Sequence, residues 1–324
     1  MIDKIFNILI NSDIYDEFYS QLNEKNTHFR WFREDRSNNE KLIETKNTLH
    51  KIDCIVSRAD LTEEEFELAT RVKLFQLPIS GYDKINLKRW KSRNIPVANN
   101  GGANAVSVAE HVFLMILSLY RHLLIHHNSV VDGRWINLKH QNKELFGKNI
   151  GIIGFGNIGK EVAKRAIAFG MNVNYFDIKH FPEKIESLRD AHFLSFEKLL
   201  SISDIVTFHV PLTNKTKKLI NSSTIQLMKT NAILINTSRG AIQDENAIYQ
   251  ALKDKKIAGA GLDVFSKEPF PLNSPLLTLD NIILSPHSGP SFESRYKMIQ
   301  FVLNNIERVY TGKRPLSVVT EYNE

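Results

Sequence analysis

One stretch of the sequence constrains the fold more than any other. It is a short apolar run that ends in spaced glycines, and it reads NIGIIGFGNIG over residues 149–159, in the middle of the chain. Such a run is typical of a buried parallel strand. The following NIGKEVAKRAIAF, with apolar residues at helical spacing, is typical of a helix. Together they predict the strand, turn and helix that open a doubly wound parallel sheet.

Three glycines of this run have separate predicted roles. Gly154 permits the tight turn out of the strand, Gly156 leaves the backbone open to a pyrophosphate, and Gly159 lets the helix pack closely. Asp177 ends the next apolar run, 23 residues after Gly154, where a carboxylate would accept hydrogen bonds from ribose hydroxyls. The pattern therefore predicts a bound dinucleotide, and the carboxylate favours NAD over NADP because it would repel a 2′-phosphate.

The composition is that of an ordinary globular protein with room for two cores. The chain has 324 residues, of which 42% are hydrophobic and 24% charged, and its net charge is +6. Lysine and arginine alternate with acidic residues, so no basic arm for nucleic acid is predicted. The N-terminus lacks a signal-peptide pattern, and no apolar stretch is long enough to cross a membrane. We therefore expect a cytoplasmic protein that binds neither nucleic acid nor membrane.

Strand-like and helix-like segments alternate along both halves of the chain, which predicts an α/β fold with parallel sheets and flanking helices. The predicted strands lie in residues 5–11, 29–32, 52–57, 74–80, 95–100, 151–155, 172–176, 204–209, 232–237, 258–265 and 281–287. The predicted helices lie in residues 13–22, 62–69, 85–93, 106–127, 157–169 and 293–310. Thr62 precedes three glutamates and is a predicted N-cap.

Three polar residues follow predicted strands of the second half, at the end where parallel sheets bind ligands. Arg239 suits an anionic substrate, because a guanidinium binds a carboxylate with two hydrogen bonds. His287 suits proton transfer near neutral pH. Glu268 would stabilise the imidazolium form of that histidine. Taken singly, such an arginine is usually a surface residue, such a glutamate a turn residue and such a histidine a structural one, and only their shared place at one edge groups them.

The remaining histidines and the cysteine fit structural roles. We expect His111, His122, His126, His127 and His140 to be mostly packing residues. Cys54 is the single cysteine and is expected to be a small buried residue. Since no cluster of histidine, cysteine and carboxylate has ligand spacing, no catalytic metal is predicted.

The chain resembles the D-isomer-specific 2-hydroxyacid dehydrogenases over nearly its whole length. The matching segments are SGYDKINL at 80–87, SVAEH at 107–111, GFGNIG at 154–159, HVPLT at 209–213, NTSRG at 236–240, GLDVF at 261–265, EP at 268–269 and SPHSG at 285–289. The resemblance implies two Rossmann-like domains: a flavodoxin-like substrate domain of residues 1–102 plus 290–324, and an inserted doubly wound NAD-binding domain of residues 103–289. Residues 103–127 would form an interdomain and dimerisation helix, and the protein would be a homodimer.

The resemblance also implies a role for each site residue. Arg239 would bind and polarise the substrate, His287 would be the acid–base catalyst, and Glu268 its partner. Backbone N–H groups of Ser80 and Gly81 would bind the substrate carboxylate. The residues implied to line the cofactor, besides Gly154, Gly156, Gly159 and Asp177, are Asn157, Ile158, His209, Thr213, Thr237, Asp263 and Gly289.

Some positions depart from the family pattern. Ile79 replaces a frequent glycine before the Ser80 loop, and Pro290 stands where a small residue is commoner. Formate dehydrogenases of the wider family have a different partner for the histidine, so Glu268 argues against formate as the substrate. Phosphite dehydrogenases have a lysine at the position of Ser80, so this serine argues against phosphite. Tyr82 and Trp135 are candidates for the pocket wall, although aromatic residues near loops often serve packing instead.

The predicted function is NAD-dependent hydride transfer at C2 of a small anionic D-2-hydroxyacid or 2-oxoacid. Glyoxylate or hydroxypyruvate, 3-phosphoglycerate and D-lactate are the candidate classes. The alternative is an NAD(H)-sensing, corepressor-like binding protein of the same fold, since such proteins can keep the same three polar residues.

Overall fold

The protein divides into two compact units, which are described separately. The computed structural model describes residues 5–11, 28–33, 46–135, 142–180 and 190–319. The first unit comprises Met1–Ala103 and Phe292–Glu324, and the second comprises Asn104–Ser291. The first unit therefore contains both ends of the chain, and the second contains the glycine-rich run.

Strands and helices alternate along the described residues. The strands are β1 (Phe6–Asn11), β2 (Phe29–Arg33), β3 (Cys54–Ser57), β4 (Leu74–Gln76), β5 (Val97–Ala98), β6 (Asn149–Ile153), β7 (Asn172–Phe176), β8 (Ala191–Phe193), β9 (Ile205–Phe208), β10 (Ile233–Asn236), β11 (Gly259–Leu262) and β12 (Ile282–Leu284). The α-helices are α1 (Glu63–Leu68), α2 (Leu87–Ser92), α3 (Ala105–Tyr120), α4 (Leu123–Val131), α5 (Asn157–Ala168), α6 (Phe196–Ile202), α7 (Ser222–Gln226), α8 (Glu245–Lys253) and α9 (Phe292–Tyr310). Short 3-10 turns lie at Leu49–Lys51, Gly240–Ile242 and Pro275–Thr278.

The first unit is built on a five-stranded parallel sheet in the order β2-β1-β3-β4-β5. This is the strand order of flavodoxin-like sheets, so the predicted fold of this unit is confirmed. Apolar side chains cover both faces. One face packs around Phe75 and Trp90, and the other packs against Ile299, Val302 and Ile306 of α9.

Helix α1 begins as its sequence predicts. The hydroxyl of Thr62 accepts the N–H of Glu65 at 3.3 Å, and the Glu65 carboxylate accepts the N–H of Thr62 at 2.7 Å. This reciprocal pair satisfies two backbone donors that a helix start otherwise leaves open. The helix predicted at residues 13–22 lies outside the described residues.

The second unit is built on a seven-stranded parallel sheet in the order β12-β11-β10-β9-β6-β7-β8. The chain starts in the middle at β6, runs outward to β8, then crosses over to β9 and runs outward on the other side. This reversal is the mark of a doubly wound dinucleotide-binding sheet, whose ligand lies at the carboxyl ends of the strands beside the switch point. The predicted fold class is thus confirmed for this unit too.

Strand β8 and the helices α6 to α8 were not singled out from the sequence. Of the three residues of β8, only Ala191 is buried, so the strand leaves no apolar run to detect. Helix α6 begins at an N-cap, where the hydroxyl of Ser195 accepts the N–H of Lys198 at 3.3 Å. A three-residue strand at the edge of a sheet, such as β8, carries the weakest periodic signal.

The long helix expected over residues 106–127 is two helices. Helix α3 ends at Tyr120 and α4 starts at Leu123, with a bend of 62° between them. His122 has a φ of 48°, and the Tyr120 carbonyl accepts the N–H of Lys143 at 2.9 Å. The left-handed conformation of His122 interrupts the helical hydrogen-bond pattern, and the N–H of Lys143 donates to the carbonyl that this interruption leaves without a helical partner. No single helix of the described residues is long and apolar enough to span a membrane, and α3 with α4 meets that test only as a bent pair.

Candidate active site

The predicted site residues of the second unit follow six different strands at one edge of the sheet. After β6 comes Gly154, after β7 Asp177, after β9 His209, after β10 Thr237 and Arg239, after β11 Asp263, and after β12 Ser285 and His287. Because all these strands are parallel, their carboxyl ends share one edge. The fold thus brings together residues that are more than 130 positions apart in the chain.

The glycine loop has the geometry that its sequence predicts. Gly154 has a φ of +92°, and a side-chain carbon there would lie 2.6 Å from the carbonyl oxygen of His209. A side-chain carbon on Gly159 would collide with the carbonyl oxygen of Gly154. By contrast, one on Gly156 would meet no atom within 4 Å. Two glycines therefore satisfy internal packing, and the third leaves open space in front of helix α5, where backbone N–H groups favour an anion.

Asp177 is anchored to this loop by its own hydrogen bonds. Its Oδ2 accepts the N–H of Phe155 at 2.7 Å, and its Oδ1 accepts the N–H of Lys179 at 3.1 Å. Each carboxylate oxygen has a further lone pair, so both can still accept from a ligand hydroxyl. The carboxylate is thus held in place beside the open space at Gly156.

Two buried polar atoms at this edge have no hydrogen-bond partner among the described residues: Nδ1 of His209 and Oγ1 of Thr237. The other ring nitrogen of His209 lies 2.9 Å from Oγ1 of Thr207. Burial lowers the pKa of His209 to about 3, so the ring is neutral at physiological pH. An unpaired buried polar atom costs free energy that a ligand can recover. Both residues were predicted to line the cofactor, and their unpaired atoms, with the space at Gly156, fit a dinucleotide.

Other predicted cofactor residues have neighbours within the protein. Asn157 and Ile158 begin α5, and the Ile158 side chain packs against the apolar core. The hydroxyl and backbone of Thr213 form a turn with Thr216, whose Oγ1 accepts the N–H of Thr213 at 2.8 Å. Their role as cofactor contacts stays a prediction.

Glu268 and His287 form a hydrogen-bonded pair. Nδ1 of His287 lies 3.0 Å from Oε2 of Glu268, while Oε1 of Glu268 accepts the N–H of Phe265 at 3.0 Å. Although partial burial alone would raise the pKa of Glu268, the hydrogen bonds from His287 and Phe265, and the nearby charge of Arg239, lower it below its usual value. The carboxylate is therefore ionised, and it fixes the proton of the histidine on Nδ1, because a carboxylate can only accept.

Arg239 is brought close to this pair by the glycine that follows it. A side-chain carbon on Gly240 would collide with the backbone carbonyl carbon of Phe265, so only glycine permits the contact between the two loops. Arg239 has extended backbone geometry, and its Nη1 donates to the carbonyl of Ser238 at 2.7 Å. The three residues predicted as catalytic thus lie together in the second unit.

His287 is held in an unusual backbone conformation by Asp263. Its φ is +52°, and its N–H donates to the carbonyl of Asp263 at 2.8 Å. The Asp263 carboxylate accepts the N–H of Ser288 at 2.8 Å and that of Gly289 at 3.1 Å. Non-glycine residues with positive φ persist where the surroundings enforce them, often at functional sites. Asp263 was predicted to line the cofactor, and the structure adds that it organises the loop that carries His287.

His111 contacts two residues at this edge, which the sequence did not indicate. Its Nε2 lies 2.9 Å from Oγ of Ser285 and 3.3 Å from Oδ1 of Asp263. The residue was expected to serve packing, since a helical histidine gives no local sign of a partner 174 positions away. Only its place in the SVAEH segment, next to the other matching motifs, could have suggested it.

The predicted substrate loop lies in the first unit, after β4. Oγ of Ser80 donates to Oδ1 of Asn100 at 2.8 Å, and Nδ2 of Asn99 donates to the carbonyl of Ser80 at 2.9 Å. The carbonyl of Ile79 accepts the N–H of Asn100 at 3.3 Å, so the residue that replaces the usual glycine is part of an ordered turn. Binding of a carboxylate by Ser80 and Gly81 stays a prediction.

The remaining candidates occupy packing or surface positions. Tyr82 packs against the apolar core of the first unit, and Trp135 is 70% exposed. Within the part of the chain that the structure describes, no group of three or more histidine, cysteine or acidic side chains is arranged to hold a metal ion.

Comparisons with known proteins identify the family that the chain resembles. The family model of the D-isomer specific 2-hydroxyacid dehydrogenase NAD binding domain matches residues 113–289. The glyoxylate reductase of Korarchaeum cryptofilum (strain OPF8) is 38% identical over 264 residues, which are 80% of this chain and 79% of that protein. The hydroxypyruvate reductase of Thermotoga maritima is 36% identical over 271 residues, 82% of this chain and 87% of that protein. A crystal structure of a glyoxylate reductase from Paecilomyes thermophila has a TM-score of 0.86 at 27% identity, covering 98% of this chain and 99% of that one.

The family model covers more than half of the chain, and both relatives exceed 30% identity over more than two thirds of it. The predicted nicotinamide-cofactor class and the predicted oxidoreductase class, acting on a CH–OH group, are thereby confirmed. The chain belongs to the D-isomer-specific 2-hydroxyacid dehydrogenase family.

Proposed function

We propose that the protein is an NAD-dependent reductase of a small 2-oxoacid, with glyoxylate or hydroxypyruvate as its substrate. The observation that carries the chemistry is the His287–Glu268 pair at 3.0 Å, close enough to Arg239 for its charge to act on the carboxylate. A cation, a base and the partner of that base are the groups that reduction of a carbonyl needs.

His287 would deliver the proton through Nε2. Its Nδ1 faces an ionised carboxylate and must keep its hydrogen, so Nε2 is the nitrogen that gains and loses a proton. Bound NADH would supply the hydride that C2 receives. His287 would give its proton to the C2 oxygen, and the 2-hydroxyacid and NAD⁺ would leave. The reverse reaction uses the same groups, with His287 as the base.

Arg239 would bind the oxoacid and polarise its carbonyl. A guanidinium stays charged at every physiological pH and directs several N–H groups at carboxylate or carbonyl oxygens. Its Nη1 donates to the carbonyl of Ser238, and this bond helps to orient the guanidinium. The charge of Arg239 would also stabilise the negative charge that develops on the C2 oxygen before the proton arrives.

We propose NAD rather than NADP as the cofactor because of Asp177. Its carboxylate is fixed by the N–H groups of Phe155 and Lys179, so it cannot easily turn away from a ligand. A fixed negative charge accepts ribose hydroxyls and repels a 2′-phosphate. Asp177→Asn should therefore raise the NADPH-to-NADH ratio of kcat/KM by about tenfold or more, and an unchanged ratio would remove Asp177 as the discriminating residue.

The choice of glyoxylate or hydroxypyruvate rests on the names of the two relatives, and phosphohydroxypyruvate and pyruvate are the competing substrates. We also propose a homodimer, supported by apolar side chains exposed on consecutive helices, including Leu114 of α3 and Leu123 and Leu124 of α4. Light scattering after gel filtration measures the oligomeric state, and a monomer at micromolar concentration would refute the dimer.

The function is tested by NADH and NADPH oxidation across a panel of 2-oxoacids. We expect turnover of glyoxylate or hydroxypyruvate with NADH, and its loss by about 100-fold or more in His287→Ala. NADH binding, followed by its fluorescence, should persist in that variant. Wild-type protein that binds NADH but reduces none of the acids would favour the alternative of an NAD(H)-sensing, corepressor-like protein. Full turnover by His287→Ala would remove the acid–base assignment.

A further inference from the structure

We propose that His111 is a positioning residue, which fixes the loop carrying His287 through a hydrogen-bond chain that runs from His111 to Ser285 and on to Asp263. The inference rests on the proposed function for its effect on turnover. The arrangement itself lies within the second unit and does not depend on the substrate.

The direction of each hydrogen bond in the chain follows from its members. Oγ of Ser285 lies 2.5 Å from Oδ1 of Asp263, and an ionised carboxylate only accepts, so the hydroxyl proton of Ser285 points to Asp263. The lone pairs of Ser285 then face Nε2 of His111 at 2.9 Å, which must be the donor. The structure thus assigns the Nε2–H form to His111, whether the ring is neutral or charged.

The series of hydrogen bonds ends at Asp263, whose carboxylate is almost fully buried. The side chain of Asp263 is 2% exposed and that of His111 is 12% exposed. Burial alone would raise the pKa of Asp263, but hydrogen bonds from His111, Ser285 and the N–H of Ser288 lower it below its usual value. The single Nε2–H of His111 lies 2.9 Å from Oγ of Ser285 and 3.3 Å from Oδ1 of Asp263, so it supports this charged carboxylate both through Ser285 and directly.

Asp263 in turn holds the loop of residues 287–289 by hydrogen bonds. Its side chain accepts the N–H groups of Ser288 and Gly289, and its carbonyl accepts that of His287. Those three bonds hold His287 at a φ of +52°, from which its ring reaches Glu268. The geometry of the Glu268–His287 pair thus requires that the Asp263 carboxylate is charged and faces the N–H groups of Ser288 and Gly289. His111 holds the carboxylate in that state.

Two substitutions separate this role from simple packing. His111→Phe keeps an aromatic ring but removes the donor, and His111→Gln removes the ring but keeps an N–H donor of similar reach. A packing role predicts that Phe is the milder change, and a positioning role predicts that Gln is. Ser285→Ala is the matched variant, because it removes the acceptor of the hydrogen bond from His111.

The first readout is hydrogen exchange, measured by mass spectrometry on the peptide that contains Ser288 and Gly289. We expect exchange there to be about tenfold faster in His111→Phe, near wild type in His111→Gln, and unchanged in both for a peptide from helix α7. This readout requires no turnover, so it remains decisive if the proposed function fails. Unchanged exchange in His111→Phe, or equal acceleration throughout the second unit, would overturn the proposal.

The second readout is kcat with the substrate found in the panel. We expect kcat to fall by about tenfold in His111→Phe and by less than about threefold in His111→Gln. The double variant His111→Phe with Ser285→Ala should lose little more kcat than either single variant, because both substitutions interrupt the same series of hydrogen bonds. Fully additive losses, or a larger loss with Gln than with Phe, would overturn the proposal. If His111→Phe does not fold, Ser285→Ala and His111→Gln still test it, since only the first should accelerate exchange at Ser288.

Discussion

Nδ1 of His287 lies 3.0 Å from a carboxylate oxygen of Glu268, and the second oxygen of Glu268 is held by the N–H of Phe265. Both oxygens of the carboxylate are therefore held, and it orients the imidazole by accepting a hydrogen bond from Nδ1–H. A freely rotating carboxylate could stabilise the charge of the ring, but it could not hold Nε2 in one direction.

Glu268→Gln should lower kcat for oxoacid reduction by about 10–100-fold. The amide carries no negative charge, so it cannot balance the positive charge of the protonated ring. Since the pKa of Glu268 is lowered below its usual value, titration of this carboxylate should not shape the wild-type profile between pH 5 and 8. Steady-state rates over that range measure both effects. Glu161→Gln, at a carboxylate on α5 that pairs with Lys164 and Arg165, is the control and should change neither. A wild-type kcat for Glu268→Gln would contradict the pairing role.

The glycine loop should separate folding from cofactor binding. Gly154→Ala places a side chain against the carbonyl of His209 at a φ of +92°, so we expect a loss of stability of about 2 kcal/mol or more. Gly156→Ala meets no protein atom within 4 Å and should melt near the wild-type temperature, yet weaken NADH binding by about tenfold or more. Thermal melts and NADH titrations test the pair. Equal effects of the two substitutions on both measurements would contradict the separate roles.

Thr237→Val should have opposite effects on the free protein and on cofactor binding. The hydroxyl of Thr237 is buried without a partner among the described residues. Replacing it with a methyl group removes an unsatisfied atom and should stabilise the free protein by up to about 1 kcal/mol. If the cofactor satisfies that hydroxyl, the same change should weaken NADH binding by about 5–10-fold. Denaturant unfolding without ligand and fluorescence titration with NADH give the two values, and unchanged NADH affinity would exclude this contact.

His209 should make the protein less stable in mild acid. Burial lowers the pKa of its ring to about 3, whereas the ring titrates near 6.5 in an unfolded chain. The pKa of His209 is lower in the folded protein than in the unfolded chain, so protonation of the ring favours unfolding. The stability that depends on the neutral ring is therefore fully present above pH 6.5 and is lost as the pH falls toward 3. The free energy of unfolding of the wild type should then fall more steeply below pH 6.5 than that of His209→Gln, by up to about 1.4 kcal/mol per pH unit. Urea unfolding at pH 7, 5.5 and 4.5 measures the slopes, and parallel slopes would contradict a neutral buried ring.

The sequence predicts most of this architecture because its signals are local. Alternating apolar runs and amphipathic stretches identify strands and helices, and the glycine spacing follows from what a single turn must accommodate. Arg239, Glu268 and His287 could be grouped because each follows a predicted parallel strand. The same reasoning cannot find contacts between distant segments. The bend at His122 depends on a donor from Lys143, and the role of His111 depends on a serine on another strand.

The close backbone contact between Gly240 and Phe265 has a consequence for how this site can change. Arg239 belongs to one side of that contact, and Glu268 to the other. A displacement of either loop is transmitted to its neighbour, since no side chain lies between them to absorb it. If Arg239 binds the substrate as proposed, substrate range is hard to alter by moving the arginine alone, and variants with a shifted anion site should arise through paired changes in both loops.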